Sequence, residues 1–402
     1  MRPALILRHQ LAAFSPISLS AALSGLAPLV RLAPQPYPQL VELLRQYYGA
    51  SGVVLCGSGT QALQLALEQS SRHSTDDRPV ALPAFGCFDL VSAAIGARAR
   101  ISLYDIDPLT LRPDRSSLEA VLRADVRACV LTPLYGLPLP WDELSELGDR
   151  YGVPLIEDAA QGHGASWHGR PLGSLGTVST ISFGRGKGWT GGGGGAMLMR
   201  GAGRGAPTSG PAAPDAVAEV RALAGLLAQW ALGRPSLYGL ARAIPSLSLG
   251  STLYHAPDDP SAMTRAAMAT VLATGADSTR ESETRRENAC LLRARLASIE
   301  GVRTFEALPA AEAGDIRLPV RVERGCTRGP VAPDARRLGI ERSYPRSLAR
   351  LPEASPWLAS EVGWPGAEAL ADQLVTLPTH SFVSATDRDK LVQAVERMAQ
   401  GR

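Results

Sequence analysis

Lys187 stands in the stretch Ser182-Phe183-Gly184-Arg185-Gly186-Lys187-Gly188-Trp189-Thr190, and glycines fill positions 191 to 195. These glycines build no helix and offer the lysine no packing partner. Two readings are open: a solvated cation in a loop, or an amine that forms a Schiff base with an aldehyde, where glycines let the backbone approach a bulky ligand.

Two other features carry matching chemistry. Asp158 ends the apolar run Pro154-Leu155-Ile156-Glu157-Asp158, and a carboxylate at the end of a buried strand can hold a cationic ring nitrogen. Gly57-Ser58-Gly59-Thr60 follows the strand-like Gly52-Val53-Val54-Leu55-Cys56 and precedes an apolar-periodic helix over residues 61–69. Strand, turn and helix start make either an anion site or a plain N-cap by Ser58 or Thr60. Ser182, five residues before Lys187, can bring its hydroxyl to that anion. An aldehyde-reactive lysine, an acid for a pyridinium nitrogen and a phosphate cradle are together what pyridoxal phosphate asks of a protein.

Positioning these groups requires a sheet. Strand-like runs at 79–83, 99–105, 126–132, 154–158, 177–183 and 195–199 alternate with helical patterns at 89–95, 117–122 and 141–151. That alternation predicts an α/β domain with a largely parallel central sheet. Ligands in such sheets sit outside the carboxyl ends of the strands, where Thr60, Asp158 and Lys187 each fall. A helix is expected to lead into Gly49, with Leu40, Leu43, Leu44 and Tyr47 at helical spacing. Residues 201–214 read as a surface loop, 217–240 as helix interrupted at Pro235, and 262–299 as a long polar helix. A strand at 316–322 and helices at 333–338 and 386–398 give the C-terminal part an α+β pattern. The division expected is 1–260 as the larger domain with its N-terminal segment and 261–402 as a smaller α+β domain.

The bulk numbers fit a soluble globular protein. The chain has 402 residues, 45% of them hydrophobic and 20% charged, with a net charge of +3. So small an excess gives nucleic-acid binding no support. The five cysteines, Cys56, Cys87, Cys129, Cys290 and Cys326, are scattered, without a CxxC or Cys/His cluster. Neither a metal site nor a disulfide framework is indicated, and reduced thiols in a cytoplasmic protein are the simplest reading. No stretch approaches the ~18 uninterrupted apolar residues of a membrane span, and Met1 to Arg8 lack a signal-peptide pattern.

Ser58-Gly59-Thr60-Gln61-Ala62-Leu63, Asp158-Ala159-Ala160-Gln161, and Ser182 followed by Lys187 and a glycine run resemble the DegT/DnrJ/EryC1/StrS aminotransferases. Pro83-Ala84-Phe85, Tyr104-Asp105-Ile106-Asp107, Leu134-Tyr135-Gly136-Leu137-Pro138, Gly339-Ile340 with Tyr344, and Leu377-Pro378-Thr379-His380 extend the likeness from about residue 50 to the end. The resemblance implies fold type I of the pyridoxal-phosphate enzymes. That fold has a large domain on a mostly parallel seven-stranded sheet plus a smaller α+β C-terminal domain, and usually forms a homodimer.

It also implies roles for particular residues. Lys187 would bond the cofactor and, once displaced by substrate, shuttle a proton between the amino carbon and C4′. Asp158 would keep the pyridine nitrogen protonated, and Gln161 would lie near the phenolic oxygen. Gly59, Thr60 and Ser182, with the Gln61 backbone, would bind the phosphate. Cys87 falls where relatives place an aromatic over the ring, so thiol stacking is expected, with Phe88 as the alternative. The implied reaction transfers an amino group, typically from glutamate, to a keto-sugar of the nucleotide-linked kind used in polysaccharide or amino-sugar assembly.

Besides Cys87, the chain departs from the family pattern in two further places. No Tyr-Asn-Arg-like loop that reaches a neighbouring subunit is recognisable between Gly201 and Pro260, and no acidic residue precedes the glycine pair. A lyase or dehydrase on the same fold and a non-catalytic cofactor-binding scaffold are the other readings. Family dehydrases replace the lysine by histidine, whereas Lys187 is present. His163, Arg185 and Trp189 each have both a site reading and a packing or solvated one.

Overall fold

A computed structural model describes residues 8–29, 34–71, 76–201, 210–242, 252–323, 331–360 and 363–401. Cys326, His73 and the loop positions 202–209 and 243–251 lie outside the described residues.

Nine strands come from the first half of the chain: β1 Gly52–Cys56, β2 Val80–Pro83, β3 Ile101–Tyr104, β4 Ala128–Leu131, β5 Leu155–Asp158, β6 Ser166–Trp167, β7 Arg170–Pro171, β8 Val178–Ser182 and β9 Gly195–Met199. Seven of them form one sheet in the order β1-β9-β8-β5-β4-β2-β3. β2, β3, β4, β5 and β8 run parallel, and β9 is antiparallel to both of its neighbours. β2, β3, β4 and β9 are buried throughout, as expected of strands covered on both faces by crossover helices.

Those helices are Pro36–Tyr48, Gly59–Gln69, Asp89–Gly96, Arg115–Arg123 and Trp141–Tyr151. Several begin and end as their sequences dictate. Ser58 accepts from Gln61 N–H and Asp114 from Ser117 N–H as N-caps, while Gly49 and Gly152 close their helices in the left-handed region. The helical stretch over 217–240 is interrupted at Pro235 as expected: Ala216–Leu232 ends before it and Pro235–Arg242 starts on it, because Pro235 cannot supply the hydrogen bond that would continue the first helix.

The helix Arg265–Leu296 spans 32 residues and joins two apolar cores. Its Ala267, Met268 and Val271 pack into the core of the large sheet. Its Ala289, Leu292 and Leu296 pack into a second core with Leu318, Val320, Leu377 and Leu391. Over the second core lies an antiparallel sheet of β10 Val302–Thr304, β12 Leu318–Val322, β14 Leu374–Leu377 and β13 Glu341–Arg342, in that order. The sequence pattern shows only β12 of these. β14 follows the helix Pro365–Gln373 with no intervening glycine or proline, so nothing punctuates its start. β11 Ala311–Glu312 pairs with the β6–β7 hairpin. No described helix is long and apolar enough to cross a membrane.

Candidate active site

Adjacent residues of a strand point to opposite faces, and β5 uses this to divide two carboxylates. Glu157, fully buried, turns toward the segment after β7. It accepts Gly173 N–H at 2.6 Å, Leu175 N–H at 2.8 Å, Gly176 N–H at 3.2 Å and Ser179 Oγ–H at 2.9 Å. Asp158 turns the other way. Its Oδ1 accepts Thr180 Oγ1–H and Ala160 N–H, each at 3.2 Å, and its Oδ2 has no hydrogen bond among the described residues. Burial raises the Asp158 pKa, while the positive charge of Lys187 and these two donors pull it back. Neighbouring carboxylates in the chain thus do different work, one structural and one facing a cavity.

That cavity gathers most of the residues singled out in the sequence. Gly59, Thr60, Cys87, Asp158, Gln161, Ser182 and Lys187 all line it. Gln61 does not: its backbone N–H is taken by the Ser58 cap at 3.1 Å, and its side chain reaches Asp259 and Ser261 instead. Ser58 is therefore the N-cap, and Thr60 faces the cavity.

The glycine run is a hairpin rather than open space. Ser182 pairs with Gly195, Phe183 N–H reaches Gly194 O at 2.8 Å, and Gly191 N–H reaches Phe183 O at 2.9 Å. Gly194 N–H then binds Gly57 O at 2.9 Å, tying the hairpin to the start of the Gly59–Gln69 helix. Lys187 rides on this hairpin, half-buried, with no hydrogen bond or ion pair on its amine among the described residues. Gly188 follows at φ +87°, and a Cβ there would stand 3.0 Å from Arg285 Nη1 and from His163 Cδ2.

Gln161 joins three segments. Its Oε1 accepts Tyr135 N–H at 2.9 Å, and its Nε2 donates to Tyr344 Oη at 2.7 Å. Tyr344 stacks on Tyr135 at 6.3 Å and meets Phe85 edge-on at 5.3 Å. Burial raises the Tyr344 phenol well above its ordinary value, so it stays neutral. Burial likewise pushes the Cys87 thiol up to about 12. Cys87 is on the cavity wall, whereas Phe88 is packed in the core.

The other site candidates fall elsewhere. Trp189 is buried and donates to Val271 O at 2.8 Å, a packing role, and Arg185 is exposed. His163 lies against Trp189 and lines a separate cavity of about 620 Å³ that holds none of the residues above. Burial pushes its pKa down to about 3.

Sequence reasoning missed Thr132 and Thr180. Thr132, one residue beyond β4, lines the cavity with a buried hydroxyl that has no partner among the described residues. Its position just past the end of a parallel strand was the available signal. These residues fit pyridoxal phosphate. Asp158 Oδ2 is free for a ring N–H, the Lys187 amine is free for an aldehyde, and the Thr132 hydroxyl awaits a polar partner. At the helix start, first-turn N–H groups lack intrahelical partners. There the Gly59 α-carbon comes so near Ser182 that a Cβ would fill the gap, at 2.7 Å from Ser182 Cβ.

Residues 37–202 match the DegT/DnrJ/EryC1/StrS aminotransferase family. The match covers less than half of the chain, over the stretch that holds the Gly59-Thr60, Asp158 and Lys187 motifs, and enzymes of that family work with pyridoxal phosphate. The L-glutamine:2-deoxy-scyllo-inosose aminotransferase of Streptoalloteichus tenebrarius is 39% identical over 156 residues, covering 39% of this chain and 36% of that protein. The UDP-2-acetamido-2-deoxy-3-oxo-D-glucuronate aminotransferase of Pseudomonas aeruginosa is 33% identical over 149 residues, covering 36% and 41%. The match thus spans well under half the length of these curated relatives.

Solved structures extend the fold to nearly the whole chain. A DegT DnrJ EryC1 StrS aminotransferase from Brucella abortus superposes with TM-score 0.70 at 21% identity over 94% of each chain. DesI, crystallised in the presence of its TDP-sugar product, gives 0.73 at 20% identity over 98% of this chain and 94% of its own. The architecture is that of fold type I.

Proposed function

We propose that this protein is a pyridoxal-phosphate-dependent aminotransferase that passes an amino group from an amino acid to a keto-sugar. The observation that carries the reading is the meeting of Ser182 and Lys187 from the end of β8, Asp158 from the end of β5 and Thr60 from just past β1 in one cavity. When bound, the cofactor supplies an aldehyde that takes up amines and a protonated ring that accepts electron density from the carbon losing its proton.

The chain's own residues do the rest. The half-buried Lys187 amine would hold the cofactor through its aldehyde and, when free, would serve as the base that takes up and returns a proton. Asp158, with only Oδ1 engaged, presents Oδ2 as an anion to the ring nitrogen and holds its proton there. Thr60, Ser182 and the first N–H groups of the Gly59–Gln69 helix bind the phosphate, and Cys87, neutral, lies along the ring. Gln161 is placed for the phenolic oxygen with one amide hydrogen still free.

The donor in this reading is glutamate and the acceptor a nucleotide-linked keto-sugar, serving polysaccharide or amino-sugar assembly in the cytoplasm. The Pseudomonas relative is named for a UDP-linked ketone. A second reading is supported by the Streptoalloteichus relative, whose name gives glutamine as donor and an unlinked cyclitol ketone as acceptor. The second core, built within residues 289–399, supports a smaller C-terminal domain in the division 1–260 and 261–402, although the first core also draws Ala267, Tyr344, Leu348 and Trp364 from that segment; a homodimer would complete the site. One experiment decides among these. The cofactor-loaded protein is mixed with glutamate or glutamine, loss of its visible band is followed, and the aminated form is then offered UDP- and TDP-keto-sugars and inosose. Bleaching by either donor followed by recovery with one acceptor class supports the reading, and a band that no amino acid bleaches contradicts it.

A further inference from the structure

Thr180 lies on β8 directly beside Asp158 of β5, the two being register partners in the parallel ladder. Its backbone carbonyl accepts Ala159 N–H at 2.8 Å, fixing the chain immediately after Asp158. Its hydroxyl, completely buried, donates to Asp158 Oδ1 at 3.2 Å. Ala160 N–H lands on the same oxygen, also at 3.2 Å. Both donors therefore converge on Oδ1, and among the described residues Oδ2 of this cavity-lining carboxylate has no donor.

We infer that Thr180 is a positioning residue for Asp158: its hydroxyl orients the carboxylate so that Oδ2 faces the cofactor ring, and holds it in the charged form. The inference rests on the proposed cofactor chemistry of the same cavity. Asp158 is only 8% exposed, and burial alone drives a carboxyl toward its neutral acid. A neutral acid would compete with the ring for one proton instead of stabilising it on the ring. Each donor to Oδ1 opposes that drift, and a hydrogen bond to a charged group is among the stronger ones a protein makes. The backbone donor from Ala160 is set by the fold, so the Thr180 hydroxyl is the donor supplied by side-chain choice. Valine has the same shape and would keep the β8 packing while deleting the donor.

The test compares wild type, Thr180→Val and Thr180→Ser for pyridoxal phosphate affinity by fluorescence quenching from pH 5 to 9, with melting of the cofactor-free proteins alongside. The valine variant should bind roughly tenfold or more weakly, and its acid-side loss of binding should move to higher pH. The sign follows from the missing donor: with less to hold the anion, the Asp158 carboxyl takes its proton at a higher pH. Thr180→Ser should recover most of the affinity and the wild-type profile. A valine variant with wild-type affinity and profile overturns the inference, as does a serine variant that fails as badly as valine, because the methyl and not the hydroxyl would then matter. A wild-type protein that binds no cofactor removes the proposed function itself, so the two failures are distinguishable.

Discussion

A methyl group on the α-carbon of Gly59 would stand 2.7 Å from Ser182 Cβ and 3.0 Å from its hydroxyl oxygen. The first turn of the Gly59–Gln69 helix and the end of β8 thus touch through a residue with no side chain. The Gly195 α-carbon approaches the same place, since a Cβ there would lie 2.6 Å from Gly59 N.

Gly59→Ala should therefore push the helix start away from Ser182 and open the phosphate cradle. The expected outcome is cofactor affinity lower by about tenfold or more, with only a modest fall in melting temperature. Fluorescence quenching and calorimetry on the same samples check it. A variant that binds normally would show that the two elements do not share the phosphate.

Glu157 and Asp158 should separate cleanly under mutation. Glu157→Ala leaves three backbone N–H groups and the Ser179 hydroxyl without their acceptor in a fully buried place. A cost of several kcal/mol in unfolding free energy is expected at ~1–3 kcal/mol per orphaned group. Asp158→Asn should instead leave stability near wild type, since burial disfavours its charge, and reduce turnover by orders of magnitude. Chemical denaturation and turnover measured in parallel test the contrast, which equal effects of the two changes would contradict.

Much of this arrangement was legible in the sequence, and the reason is periodicity. The strands of the large sheet are mostly apolar or β-branched and punctuated by turn residues, so β1, β5, β8 and β9 stand out and the ends of β5 and β8 show where Asp158 and Lys187 could converge. The Lys187 loop carried a further signal in composition. Of 41 cationic side chains only two, Lys187 and Lys390, are lysine, and the second sits exposed on the Ala385–Ala399 helix.

What stayed hidden depends on contacts between distant segments. Gln61 looks like part of a phosphate loop, but the Ser58 cap consumes its N–H. Thr180 and Thr132 read as ordinary strand residues until the register of β5 and β8 and the end of β4 place them at the cavity. The Gln161–Tyr344 bond links residues 183 positions apart, beyond the reach of any local pattern.

Acid should destabilise the folded chain through His380. This ring is fully buried, with Nε2 2.8 Å from Leu11 O, and burial pushes its pKa down from 6.5 to about 4 against the opposing effect of that carbonyl. The unfolded chain therefore takes up the proton first as pH falls. The neutral ring's contribution is complete above about pH 6.5 and is lost as pH drops toward 4, by up to about 3 kcal/mol. His163, pushed down to about 3, acts in the same direction. Melting temperatures from pH 7.5 to 4.5 should fall, and the fall should be shallower in His380→Phe; an equal slope in the two proteins would exclude His380 as a source.

The central claim is that Lys187 is the amine that holds the cofactor, and the scarcity of lysine makes it directly measurable. The protein loaded with pyridoxal phosphate is reduced with borohydride, digested, and the modified peptide identified by mass spectrometry. The account predicts one stable adduct on Lys187 and a protein that loses its visible band when Lys187 is changed to alanine. A colourless protein that takes up no cofactor, or an adduct on Lys390 with Lys187 unmodified, would contradict it.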